Sequence, residues 1–351
     1  TPEKGKDASM SRHHRLTAAL AVTAAAAIAL TGCASAAPSG GDDSGRDRVT
    51  LNVGYIDTSI NGVGIIAVAN DQDLWNKAGI DVNLTPFTNG PTQIQAMAAG
   101  SLDIGYIGGG ATWMPASGQA TIIAPNESTF GDFLIATPQS GATSVKDLKG
   151  LRVGVPEGGS GEMILALALD EAGLTADDIE RVPLDPPNVV SAFVAGQIDV
   201  AAIFSPLSDQ IMEAVPDAKI IANNKDFPGT EFVGAWVASN QAVADKAEAV
   251  ERFLEVWIQA NDYRLENTKD MVALAATASG APAEQLQGQA DKLEWWTSDQ
   301  ILKDNESGLT YDRFKSLEEL FVKVGRLDKV ADPKTFVNVD LYAQAKAYLD
   351  K

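Results

Sequence analysis

Two histidines, His13 and His14, and one cysteine, Cys33, are the chain's whole supply of imidazole and thiol, and all three fall early in its 351 residues. A Ser-His-Asp triad or a His- or thiolate-ligated metal centre in the remaining sequence is therefore impossible. The nucleotide-binding and hydrolase signatures are missing as well. There is no G-x-x-x-x-G-K-[ST] and no H-E-x-x-H, and Gly158-Gly159-Ser160-Gly161-Glu162 departs from G-x-S-x-G at its last position. Asp57, Glu127, Glu157, Asp185 and Glu231 are acids that a carboxylate-only hydrolase would draw on, but nothing in their spacing fixes a catalytic pair. No cofactor or metal is expected.

What remains is the chemistry of binding. The segment VPEGGSGEM, Val155 to Met163, joins an apolar strand-like run to an apolar helical one. Its glycines permit close backbone approach, Ser160 adds a hydroxyl, and the first N–H groups of a helix have no acceptor within it. Such a turn holds a sulfonate, nitrate, carboxylate or phosphate oxygen, or is a plain helix cap. Four other loops take equivalent post-strand positions: Asp57-Thr58-Ser59-Ile60-Asn61, Thr88-Asn89-Gly90, Gly108-Gly109-Gly110-Ala111-Thr112 and Phe204-Ser205-Pro206. In open α/β sheets ligands meet the carboxyl ends of the strands, so five such loops can converge on one cleft.

An internal repeat supplies the elements that position them. Ile94 to Ile107, IQAMAAGSLDIGYI, aligns without gaps on Val190 to Ile203, VSAFVAGQIDVAAI, placing Gly100 on Gly196 and Asp103 on Asp199; upstream, LNVGYI from Leu51 matches LRVGVP from Leu151. Each unit reads strand, loop, helix, strand, helix, glycine turn, Asp, strand, the order of parallel α/β. The apolar runs FLIATP and FVGAWVAS mark the passages between units. The expectation is two parallel-sheet lobes, 49–134 plus 235–351 and 140–229, joined by hinge crossovers at 135–139 and 230–234. Two independent sequential domains are the alternative. Val250, Phe253, Leu254, Trp257 and Ile258 form a helical stripe, a less regular helical region runs through Leu293, Trp295 and Trp296, and Leu317, Leu320, Phe321 and Val324 form a further stripe.

The chain's start carries a different signal. From Met10 a basic stretch precedes an apolar run, Leu16 to Leu30, and then Leu30-Thr31-Gly32-Cys33. The run is short for a membrane span and reads as an export segment. Small residues before a cysteine resemble the bacterial lipoprotein signal, which implies removal of residues 1–32, a lipid on Cys33 and a Gly-, Ser- and Pro-rich tether over 33–48. An ordinary secretory signal with an incidental cysteine is the alternative. With 27 basic against 47 acidic residues, a formal charge of −20, the chain has no footprint for nucleic acid, and membrane contact is expected through the lipid alone.

TNGPTQIQAMAAGSLDIGYIGGGA from Thr88, DLKGLRVGVPEGGSGEMILALAL from Asp147 and AFVAGQIDVAAIFSP from Ala192, behind a lipoprotein-like leader, resemble the sulfonate/nitrate/taurine-type substrate-binding proteins of ABC importers. The resemblance covers 49 to about 350 and implies a bilobed type II periplasmic-binding fold that closes around a small polar organic solute and delivers it to a permease. Matched to the family's loops, Thr58, Ser59, Asn89, Gly110, Ala111, Thr112, Gly159, Ser160, Gly161, Phe204 and Ser205 face the solute. Phe204-Ser205-Pro206 lacks the Trp-Asp-Pro of taurine-like members. Lys77 is the only Lys or Arg between Val49 and Val145, so an amine-bearing or neutral solute suits the acidic surroundings better than a strong anion. Glu127, Glu157 or Glu231 would meet an ammonium. The reading is a small aliphatic sulfonate, taurine-like or other zwitterionic nutrient; the alternative is a nitrogenous heterocycle such as a thiamine pyrimidine precursor stacked on Trp113, Phe204 or Trp236. An enzyme on the same fold is a further alternative, disfavoured by the lack of histidine. The protein is expected to be a monomer. Without a histidine beyond His14, binding is expected to vary little between about pH 6 and 8 unless a carboxylate is strongly perturbed.

Overall fold

The computed structural model describes residues 46–351, so the export segment, Cys33 and all but the end of the tether lie outside the described residues. Eleven strands follow in chain order: β1 (Val49–Ile56), β2 (Ile80–Phe87), β3 (Ile104–Ile107), β4 (Thr121–Thr129), β5 (Asp132–Ala136), β6 (Arg152–Val155), β7 (Glu180–Pro183), β8 (Val200–Phe204), β9 (Lys219–Asn223), β10 (Val233–Ala238) and β11 (Leu293–Glu294). They form two sheets, in the orders β11-β4-β10-β3-β1-β2 and β7-β6-β8-β5-β9.

Both sheets are mixed, where parallel ones were expected. β1 pairs in parallel with β2 and β3, and β6 with β7 and β8, as the repeat requires. The strands that arrive from the other sheet run antiparallel: β5 against β8 and β9, and β10 against β3 and β4. Each crossing strand thus fills the place beside the last parallel strand of the opposite unit, which ties the sheets together twice.

The crossings also shift. β5 starts after only Phe130 and Gly131, so the first passage precedes the expected 135–139, and Asp132–Ala136 already belongs to the second sheet. On the return, Val233 and Gly234 of the expected 230–234 hinge are the first residues of β10. A short apolar run buried on both faces reads alike whichever sheet it joins, so its composition does not disclose where it crosses.

The repeat holds in detail. Asp103 accepts from the Asn52 N–H at 2.9 Å, and Asp199 from the Arg152 N–H at 2.9 Å, each acid tying the turn before one parallel strand to the start of its neighbour. Gly100 and Gly196 take φ of +74° and +68° after the helices Gly90–Ala98 and Pro186–Val194.

The helix Ala247–Glu266 buries the Val250, Phe253, Leu254, Trp257 and Ile258 stripe in the core of the first sheet. Trp295 and Trp296 follow the short β11 rather than continuing a helix. The C-terminal part does not belong wholly to the first lobe as expected: Leu317, Leu320, Phe321 and Leu327 form a separate cluster with Met163, from the helix Ser160–Ala172 of the second lobe, and with Phe232.

Candidate functional site

The parallel strands β1, β2, β3, β6 and β8 all end at one cavity of about 130 Å³ between the two sheets. A space of that measure takes a solute of about the size of benzene, roughly six non-hydrogen atoms. Thr58, Ser59, Asn89, Ala111, Gly159, Ser160, Phe204 and Ser205 line it, as do Tyr106, Glu127, Asp132 and Lys292.

Local chemistry sets each loop. Asn89 caps the helix Gly90–Ala98, its Oδ1 accepting from the Thr92 N–H at 3.0 Å. Ser59 begins the helix Ile60–Asp71 without a side-chain cap; Gln289, from far along the chain, instead accepts the Ile60 N–H at 2.9 Å and donates to the Thr58 carbonyl at 3.2 Å. Gly159 stands in extended backbone ahead of Ser160, where the helix Ser160–Ala172 opens on the cavity.

Five expected residues fall elsewhere. Gly110 backs onto the second lobe, where an added Cβ would lie 2.1 Å from Ser160 N. Gly161 packs on the Ala202 carbonyl, and Thr112 turns its hydroxyl to the Gly109 carbonyl at 2.7 Å. Trp236 is fully buried between the rings of Tyr106 and Phe253, at 5.8 and 5.2 Å, and donates to Asn126 Oδ1 at 3.2 Å; it is core, because β10 is an inner strand. Glu231 stands half-exposed beside Arg313, outside the cavity lining. Trp113 likewise does not line the cavity; its indole donates to the Gly158 carbonyl at 3.1 Å, bridging the lobes.

A buried polar layer forms the floor. Glu127 accepts from the Tyr106 hydroxyl at 2.6 Å on Oε1 and from the Asn126 amide on Oε2. Arg264, fully buried, donates to the Asn126 carbonyl at 3.0 Å and to Asn261 Oδ1 at 2.7 Å, and stacks on Trp295 at 4.7 Å. Burial pushes the Glu127 carboxyl up to about 7 against the pull of Tyr106, Asn126 and Arg264, and lowers the Arg264 guanidinium to about 10. On the second lobe burial pushes Asp132 up to about 6, with the Ser160 hydroxyl and Asn224 tempering the rise. Asp132 heads an apolar strand as Asp103 and Asp199 do, which is the only trace of it in the sequence. Lys292 closes the rim, donating to Ser205 Oγ at 3.0 Å and to Asp209 at 2.8 Å. Among the described residues no group of acids, histidines and cysteines has the arrangement of a metal site.

The profile of the NMT1/THI5-like family matches residues 61–270. A binding protein of Brucella abortus (strain 2308) is 41% identical over 84% of this chain and 92% of its own length. The chain belongs to the NMT1/THI5-like family. Its two mixed sheets joined by two crossings make the bilobed type II periplasmic-binding fold. An aliphatic sulfonates-binding protein of Bacillus subtilis (strain 168) is 27% identical over 71% of this chain and 76% of its length. The alkanesulfonate-binding protein of Xanthomonas axonopodis pv. citri bound to MOPS superposes with a TM-score of 0.65 at 20% identity, covering 84% of this chain and 99% of that one; identity that low establishes the shared fold alone.

Proposed function

We propose that this solute-binding protein holds a small zwitterionic nutrient, taurine-like or otherwise amine-bearing, in the cavity between its sheets and delivers it to an ABC permease. The observation that carries this reading is the convergence of five post-strand loops, three from one lobe and two from the other, on one cavity. The Ser59 and Ser160 hydroxyls and the N–H groups opening the helix Ser160–Ala172 suit the oxygens of such a solute. Acidic side chains suit its nitrogen. A nitrogenous heterocycle such as a thiamine pyrimidine precursor is the second reading, favoured by Phe204, Leu184 and Pro186, which give the second-lobe wall an apolar face. The protein acts as a monomer in this proposal.

Anchorage by a lipid on Cys33 belongs to the same proposal. Cys33→Ser should release the protein from membranes, and retention after the substitution would defeat the anchor. Native mass spectrometry of the protein purified from its host, followed by a thermal-shift screen of sulfonates, amines and pyrimidines, tests the solute. Ser160→Ala should weaken binding by roughly 0.5–3 kcal/mol, according to whether a buried acceptor loses its donor. Solute affinity unchanged by Ser160→Ala would move the polar head elsewhere in the cavity.

A further inference from the structure

Two carboxyl side chains, each 1% exposed, line the cavity, one from either sheet: Glu127 near the end of β4 and Asp132 at the start of β5. Their surroundings differ. Both oxygens of Glu127 are occupied, by Tyr106 and Asn126, and Arg264 balances its charge. Asp132 Oδ2 accepts from Asn224 Nδ2 at 3.2 Å and the Ser160 hydroxyl stands near enough to temper the carboxyl, while Oδ1 is buried without a hydrogen bond of ordinary geometry. A carboxylate oxygen kept from water and left unpaired is costly, and native structures seldom keep one unless something else supplies the donor.

Among the described residues that line the cavity, no cation is spare for that purpose. Lys292 is the one basic side chain among the described residues lining the cavity, and its ammonium is spent on Asp209 and Ser205 at the rim. Against it stand Glu127, Asp132, Glu157 and Asp185. A bare sulfonate would enter an acidic space, whereas a donor-bearing cation would meet Asp132 Oδ1, the unpaired carboxylate oxygen of the cavity lining.

We propose that Asp132 is the cation receptor of the cavity, taking an N–H of a small ammonium, amidinium or guanidinium solute on Oδ1. The assignment rests on the cavity being the solute site and narrows its ligand class. Glu127 belongs to the structural floor beneath, and Asp132, on the second lobe, reads the nitrogen. It also makes nitrogen recognition depend on closure, since the opposite wall of the cavity comes from the first lobe.

The test uses propylamine, acetamidine, taurine and ethanesulfonate as probes, with sodium chloride as the ionic control, read by thermal shift and calorimetry on the wild type, Asp132→Asn and Asp132→Ser. The cationic probes are expected to bind the wild type more tightly than ethanesulfonate. Asp132→Asn should weaken them about 10- to 100-fold, the range of a charge-assisted hydrogen bond. The melting temperature without solute should be unchanged or higher, because an amide of the same shape removes a buried charge. Cation affinities within twofold of wild type in both variants would overturn the assignment, as would a wild type that ignores every cation. Ethanesulfonate binding that persists in both variants in that second case leaves solute capture standing without Asp132. Failure of all four probes, with no solute retained by the protein from its host, would count against the cavity reading itself.

Discussion

Ser160 leaves Gly110 no space for a side chain: a Cβ there would fall 2.1 Å from Ser160 N and 2.3 Å from its Cα, both rigid backbone on the other lobe. Gly110→Ala should therefore leave each lobe folded but hold the lobes apart, weakening solute binding tenfold or more while the melting temperature without solute changes little. Calorimetry beside a thermal melt checks this, and unchanged affinity would mean that the two backbones separate when solute binds. The acids of the cavity set its pH response. Asp132 at about 6 and Glu127 at about 7 both hold their protons more tightly than an unfolded chain does. Their contribution to stability is thus fully present below about pH 4 and is lost as pH rises through those values. Arg264 faces Glu127, Ser160 and Asn224 face Asp132, and Lys292 is engaged at the rim. A cation needs the charged form of Asp132, so acetamidine affinity should rise from about pH 5 to about pH 7.5 and binding should release a proton, visible as a buffer-dependent heat. A flat profile would leave Asp132 out of contact with the probe. This departs from the pH-insensitive binding that the absence of histidine suggests, because burial does here what imidazole does elsewhere. Most of the loop residues were legible in the sequence because post-strand loops are where α/β proteins put ligands. Asp132 was not, since an acid before an apolar run carries no sign of which sheet receives it, and Trp236 misled because an indole on an inner strand and one on a cleft wall look alike in sequence.

At the level of elements, the C-terminal segment grips the second lobe. Arg326 donates to both oxygens of Glu162, at 2.6 and 2.8 Å, and Arg181 reaches the same carboxylate at 2.7 Å. Burial alone would raise the Glu162 pKa, but the two guanidinium groups and the Gly158 N–H override it and hold the carboxyl below its usual range. Arg326→Gln should cost about 1–3 kcal/mol, less than breaking a fully buried pair because Arg181 remains. Lys323→Ala, which removes an exposed pairing with Asp170, should cost under about 1 kcal/mol. Urea melts of the two variants separate these outcomes, and equal effects would mean that the Glu162 cluster contributes no more than a surface pair. The stability from Glu162 is present above the usual glutamate pKa and is lost as pH falls through its lowered one. The repeat made β1, β3, β6 and β8 legible, down to the aspartates that anchor them. Their antiparallel partners were visible only as apolar runs, because strand direction is decided by which sheet offers an open neighbour. The docking of 317–327 on the second lobe was hidden for a similar reason: an amphipathic stripe shows that a face is buried, not what buries it.

The molecule as a whole is held shut by few direct contacts: the Trp113 indole on the Gly158 carbonyl, Gly110 against Ser160, and Lys292 on Ser205 and Asp209. Two short chain passages join the sheets, an arrangement suited to rigid-body rotation. The C-terminal cluster sits on the helix that opens at Ser160, so any swing of the second lobe would have to carry or break that packing. Without solute, Asp132 Oδ1 has no hydrogen bond of ordinary geometry to compensate its burial, and opening would let water reach it. Solute should therefore shift the population toward the closed form. Small-angle scattering is expected to show a radius of gyration falling on solute addition toward that of a compact body, about 19 Å for the described residues 46–351. Residues ahead of the described region add to the absolute value, so the change on titration is the quantity to compare. Gly110→Ala should keep the larger radius at solute concentrations that close the wild type. If scattering is unchanged by a solute that calorimetry shows to be bound, the protein is already closed when empty, and solute must enter by local opening at the Lys292 rim rather than by separation of the lobes.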